Sequence, residues 1–139
     1  DRMSERSRYM RFFSAGRGLT PAMLARLTQV DYDRELALIA LSGEGESEQI
    51  VGVARFAANP DGESCEFAVA IDDHWNGRGL ATILMQRLID AAREAGYRRM
   101  TGNVLSDNDS MLKLAARLNF ERSRDEDDPA LVKVVRSLA

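Results

Sequence analysis

The chain has 139 residues, which at about 100–200 residues per domain fits a single domain over 1–139. Apolar residues make up 45% and charged ones 29%, and no apolar stretch approaches the roughly 18 residues that cross a bilayer, so neither a membrane protein nor a disordered one is expected. Nineteen Lys and Arg against 22 Asp and Glu leave a net charge of −3, which argues against gripping a phosphate backbone, and no nucleic-acid partner is expected. The single cysteine, Cys65, cannot form an internal disulfide, and with the single histidine, His74, it cannot complete a zinc set, so no metal is expected. The chain opens on Asp1 rather than Met, and no charged-then-apolar leader follows. The expectation is a domain excised from a longer protein and working in the cytoplasm.

In chain order, Ser4-Glu5-Arg6-Ser7 places a capping residue ahead of Tyr9, Met10, Phe12 and Phe13 and predicts a short helix over Ser4 to Ala15, with Phe12 and Phe13 in the core. Thr20-Pro21 starts another, Thr20 as N-cap and Pro21 in the first helical position, with Leu24, Leu27 and Thr28 on one face. Together these two make a helical lid. From Arg34 the period changes: Leu36 to Leu41 is an unbroken apolar run stopped by Gly43 and Gly45, as in a buried strand. A second strand follows over Gln49 to Ala57 and, after the turn Asn59-Pro60-Asp61-Gly62, a third over Ser64 to Ile71, which predicts an antiparallel meander. Leu80, Ile83, Leu84, Leu88, Ala91, Ala92 and Ala95 then recur at helical spacing opposite Gln86, Arg87, Asp90 and Arg93, and Gly96 closes that helix. Arg98 to Leu105 returns to strand, Asn108 to Leu118 to helix, and Phe120 to Arg124 with Leu131 to Leu138 forms a final strand pair. Between that pair lies Asp125-Glu126-Asp127-Asp128, either a solvated hairpin or a dock for a basic surface. Strands interleaved with helices predict an α/β or α+β layer of helices against a mixed sheet.

Between the third strand and the long helix stands Asp72-Asp73-His74-Trp75-Asn76-Gly77-Arg78-Gly79-Leu80-Ala81. A glycine-bearing turn at a helix start presents several backbone N–H groups at the positive end of the helix dipole, a ready site for phosphate. Gly77 and Gly79 let a ligand approach the main chain, although glycines here can also serve the turn alone. The third glycine of a dinucleotide fingerprint and the Gly-Lys-Ser/Thr ending of a P-loop are both missing, which removes nucleotide hydrolysis. His74 reads as a solvated loop residue and Trp75 as a packing anchor.

Alternation along the third strand puts Cys65, Phe67, Val69 and Ile71 on one face and Glu66, Ala68 and Ala70 on the other, so a carboxylate stands among small apolar residues. Its ordinary explanation is pairing with an arginine or with water. Burial there would raise its pKa towards neutrality and suit it to work as a general base. Cys65 faces away from Glu66, which argues against an acyl-cysteine intermediate.

Asn76-Gly77-Arg78-Gly79-Leu80-Ala81 resembles the Gln/Arg-x-x-Gly-x-Gly/Ala acyl-CoA signature of the GNAT superfamily of N-acetyltransferases. Asn108, followed by Met111, Leu114, Leu118 and Asn119-Phe120, resembles that family's second signature, an Asn-initiated helix ending in a Gly-Phe-like pair. Order, spacing and element type agree over residues 20–138. The resemblance implies a mixed, mostly antiparallel sheet with helices on both faces, and acetyl-CoA as co-substrate. It assigns the coenzyme to Val69, Ala70, Ile71, Asn76, Gly77, Arg78, Gly79, Leu80, Ala81 and Asn108, and catalysis to Glu66. Arg78 and Arg117 either approach its phosphates or are ordinary surface arginines. The chain departs from the pattern at Asn76, where Gln or Arg is usual, at Asn119, where Gly is usual, and at Ala115, where many members carry a tyrosine general acid. The family's first strand precedes its opening helix; this chain is expected to start inside that helix, leaving Arg34 to Leu41 as a sheet edge.

Ser4 to Phe13, Leu27 to Glu35 and Cys65-Glu66-Phe67-Ala68-Val69 are similar to the acetyltransferase domain of bacterial Pat-type protein lysine acetyltransferases. That branch implies a fused acyl-CoA-synthetase-like regulatory region and, as protein substrate, an AMP-forming acyl-CoA synthetase acetylated at an active-site lysine. The expected mechanism is direct transfer. A lysine amine, with an ordinary pKa of about 10.4, must lose a proton before it attacks, whereas the coenzyme thiol, near 8.5, leaves readily. Glu66, directly or through a water, takes that proton, and backbone N–H groups from Val69 to Ile71 polarise the thioester carbonyl. Two other readings share the cofactor residues: an N-acetyltransferase for a small amine, and a non-catalytic acyl-CoA sensor in which Glu66 is structural.

Overall fold

The structure, a computed structural model, describes residues 6–12, 25–32, 34–43, 48–77, 79–123 and 128–139. Among them the chain forms β1 (Arg6–Phe12), β2 (Ala25–Tyr32), β3 (Glu35–Ser42), β4 (Gln49–Ala58), β5 (Ser64–Ile71), α1 (Leu80–Glu94), β6 (Arg99–Leu105), α2 (Asp109–Arg117), β7 (Glu121–Ser123) and β8 (Leu131–Ser137). From β3 onward every element expected from the sequence is present, with ends that differ by at most one residue. The chain divides into two compact units, residues 1–57 with 68–88 and residues 58–67 with 89–139, and β4, β5 and α1 supply residues to both.

In the first unit the strand order is β1-β2-β3-β4-β5, and β1 through β4 are an antiparallel meander. Here the structure corrects the sequence reading. Helices were expected from Ser4 to Ala15 and from Thr20; the described parts, Arg6–Phe12 and Ala25–Tyr32, are strands. The supposed caps at Ser4 and Thr20-Pro21, and Phe13 and Leu24, lie outside the described residues. Pairing is the physical reason. Ala25–Tyr32 bonds to β1 on one edge and β3 on the other, and Thr28, Val30 and Tyr32 alternate as good strand formers, so tertiary pairing outweighs a local helix signal. β3 is consequently an interior strand, not the sheet edge expected for Arg34 to Leu41, and two strands precede it where the family's first strand was expected to be missing.

β3 buries Leu36, Leu38 and Ala40 at period two, and β4 buries Gly52, Ala54 and Phe56 in the same way. Against them α1 lays Leu80, Leu84, Met85 and Leu88, each 1% exposed or less. A Cβ at Gly52 would come within 3.0 Å of both Ile71 Cδ1 and Leu84 Cδ1. The missing side chain therefore lets α1 close on β4, which sets where the helix starts.

In the second unit the order is β5-β6-β8-β7, with β5 parallel to β6 and the remaining pairs antiparallel. The expected turn at Asn59-Pro60-Asp61-Gly62 leads into β5, and Gly62 donates its N–H to Asn59 O at 3.2 Å. The Asp61 carboxylate accepts the backbone N–H groups of Glu63 and Ser64 and the Ser64 hydroxyl, each at 2.8 Å. These bonds, with the Arg99 guanidinium beyond them, hold its carboxyl below the usual range. Phe67 lies over Gly102 of β6, where a Cβ would run into the ring, and meets Phe120 edge-on at a centroid distance of 5.2 Å. α2 adds Leu112, Leu114 and Ala115 to this core. After α2 the chain reverses at Asn119, whose φ of 70° is the left-handed conformation asked of an asparagine in a glycine's place. Phe120 N–H closes that reversal onto Ala115 O at 2.9 Å.

Candidate functional site

In the first unit the site is a turn built by its own backbone. Asp72 N–H donates to Val51 O at 2.9 Å, which ties the end of β5 to β4. The Asp72 carboxylate then accepts His74 N–H at 2.9 Å, and Trp75 N–H returns to Asp72 O at 2.8 Å, closing one turn of 3-10 helix over Asp73–Trp75. Trp75 is buried and His74 exposed, the anchor and the loop residue that the sequence reading expected. Asn76 ends this turn, exposed, with its N–H on Asp73 O.

Gly77 and Gly79 follow with φ of 78° and 83°. A Cβ at Gly77 would meet nothing within 4 Å, so conformation, not crowding, requires glycine there. α1 opens directly afterwards, and a backward bond at its start runs from Ile83 N–H to Gly79 O at 3.2 Å. The N–H groups ahead of Ile83 are those that a helix start leaves without intrahelical partners. No acidic residue occupies the first turn of α1, so nothing in its own sequence neutralises the positive end of the helix. The structure thus brings Val69, Ala70 and Ile71 at the end of β5 into one unit with Asn76, Gly77, Gly79, Leu80 and Ala81. Arg78 lies outside the described residues. The donor set fits a diphosphate: several backbone N–H groups and a helix dipole, with no carboxylate in the first turn of α1.

The second unit holds Glu66 and Asn108. The alternation of β5 is as expected, with Cys65 and Phe67 buried and Glu66 on the other face. Of the two readings left open for Glu66, burial and contact with water, the structure shows the second: the side chain is exposed, because a strand among small alanines leaves a long side chain in water. Its Oε2 accepts a hydrogen bond from Asn103 Nδ2 at 3.3 Å. The parallel ladder between β5 and β6 covers Ser64–Glu66 against Arg99–Thr101, so Glu66 stands at its last pair. Cys65 is fully buried, and burial pushes its thiol up to about 12. A thiol so protonated at neutral pH is no nucleophile.

Asn108 is the N-cap of α2, its Oδ1 accepting Met111 N–H and the Ser110 hydroxyl, each at 3.2 Å. Ala115 is buried and carries no acid. Arg117 is exposed in the last turn of α2. Asp125, Glu126 and Asp127 of the acidic segment lie outside the described residues. The sequence reading passed over Asn103. Alternation along β6 would have placed it on the face opposite Met100 and Val104, but not beside Glu66, because that proximity depends on the register of β5 against β6.

Residues 6–120 match the family model described as the acetyltransferase (GNAT) family. Over 132 residues, 95% of the chain, the sequence is 37% identical to an acetyltransferase of Pseudomonas aeruginosa, of which it covers 71%. It is 34% identical over 124 residues to the acetyltransferase Pat of Mycolicibacterium smegmatis, which takes in 88% of the chain and 36% of Pat. The fold is shared with yncA of Salmonella typhimurium, solved with its cofactor acetyl-CoA, at a TM-score of 0.64 and 24% identity, over 76% of this chain and 65% of that one. Among the described residues no helix is long and apolar enough to cross a membrane.

Proposed function

Since the chain belongs to the acetyltransferase (GNAT) family, and is an acyltransferase on that ground, we propose that it moves the acetyl group of acetyl-CoA onto a lysine of a protein, an AMP-forming acyl-CoA synthetase. The observation that carries the donor half is the start of α1, where two glycines at positive φ open onto a first turn without a carboxylate. Backbone N–H groups of Gly77, Gly79, Leu80 and Ala81 hold the diphosphate of the coenzyme, and those of Val69 to Ile71 polarise the acetyl carbonyl. Acetyl-CoA supplies an activated thioester whose thiol, with an ordinary pKa near 8.5, needs no acid to leave. That fits Ala115 in place of a tyrosine.

The acceptor needs more help than the leaving group, because a lysine amine with an ordinary pKa of about 10.4 arrives protonated at neutral pH. Glu66 takes that proton. Its exposure supports a protein acceptor, since a lysine carried on a folded partner can reach an open carboxylate. The resemblance of Cys65-Glu66-Phe67-Ala68-Val69 to Pat-type protein lysine acetyltransferases points to the same class of acceptor.

Incubation with acetyl-CoA and an AMP-forming acyl-CoA synthetase, followed by mass spectrometry, is expected to find acetyl-lysine on the synthetase. Glu66→Gln should lower turnover by about 100-fold or more, the usual contribution of a general base, while calorimetry shows acetyl-CoA affinity unchanged. Product confined to free amines would point to a small-molecule acceptor, and tight binding without product to a sensor.

A further inference from the structure

Resting on the reading of Glu66 as the base, we infer that Asn103 is a positioning residue that aims the Glu66 carboxylate. Phe67 lies over Gly102 on the buried side of the second unit's sheet. The residues next to each of them in sequence, Glu66 and Asn103, therefore emerge together on the exposed side. There Asn103 Nδ2 donates to Glu66 Oε2 at 3.3 Å. A carboxylate is an acceptor only, so the amide must turn its nitrogen to it, and one donated bond leaves Oε1 open to take a proton.

Position matters because a free glutamate on an exposed strand samples many rotamers, few of which present an oxygen to an incoming amine. The donor is also neutral. A cation in its place would favour the charged carboxylate and make it a poorer proton acceptor. Among the described residues, Arg99 on β6 faces Asp61 at 3.8 Å and Glu63 at 3.4 Å. Lys133 on β8 is registered against Asn103 and exposed. Asn103 thus lies on the strand between the one that carries Glu66 and the one that carries Lys133.

The test uses the intact chain, acetyl-CoA and an amine acceptor, with steady-state kinetics across pH 4–9. Asn103→Leu is expected to lower kcat by about tenfold, the scale of a hydrogen bond to a charged group, with calorimetric affinity for acetyl-CoA unchanged. Asn103→Asp, which sets a second carboxylate against Glu66, is expected to move the acid limb of the kcat/KM profile upward through like-charge repulsion, and Asn103→Gln to restore part of the rate. In a Glu66→Gln background Asn103→Leu should have no effect. Wild-type rates and pH profile in both Asn103→Leu and Asn103→Asp, alongside a Glu66→Gln variant that has lost turnover, overturn the inference and leave the base intact. An equal loss with and without Glu66 also overturns it. If Glu66→Gln keeps full turnover, the reading of Glu66 as base falls, and the role of Asn103 falls with it.

Discussion

The two helices begin in opposite ways. α2 uses up its own start: Asn108 caps it through Met111 N–H and the Ser110 hydroxyl, and Asp109 sits in its first turn against the helix dipole. α1 starts from glycines at positive φ, with no acid in its first turn and a backward bond at its start on Gly79 O. A helix start satisfied by its own side chains has little left for a ligand, whereas one that leaves its N–H groups and dipole uncompensated is built to receive an anion. The stability of α1 comes instead from its buried face, where Leu84, Met85 and Leu88 are fully covered.

The sharpest way to break this comparison is Gly79→Val. A branched residue at φ 83° carries a left-handed penalty of at least about 1–2 kcal/mol, and relieving it moves the N–H groups off the anion. Acetyl-CoA affinity by calorimetry should fall roughly tenfold or more, with a lower melting temperature. Next in size, Asn108→Ala should cost about 1 kcal/mol of stability, the usual worth of an N-cap, and Asn108→Asp should restore it; thermal unfolding reads both. If Ala and Asp are equally stable, the capping account of α2 fails. The smallest effect is the most telling in sign. Ala81→Glu places a carboxylate in the first turn of α1, which should stabilise the helix by about 0.3–1 kcal/mol while weakening acetyl-CoA binding. Stability and affinity that rise together would mean that α1 does not face the diphosphate.

The turn from Asp72 to Ala81 was legible in the sequence because its signals are local: glycines that serve a turn, and an apolar helical period immediately after. The face of Glu66 was legible too, since strand alternation needs no partner. Its exposure was not, because burial depends on what packs over a strand, and its contact with Asn103 was not, because register joins residues 37 positions apart. β1 and β2 were misread for a related reason: a Ser or Thr-Pro ahead of apolar residues signals a helix locally, and only the ladders on either edge of β2 make it a strand.

By itself, then, the sequence determined the glycine-bearing turn, the two helices, the strands from β3 onward and the carboxylate on the open face of β5, all features whose physics is contained within ten residues or so of chain. Tertiary structure alone decided that β3 is interior, that Glu66 stands in water at the end of the β5 and β6 ladder, and that a neutral amide is placed to hold it. Those outcomes are set by strand pairing and packing between distant segments, whose energies no local pattern contains.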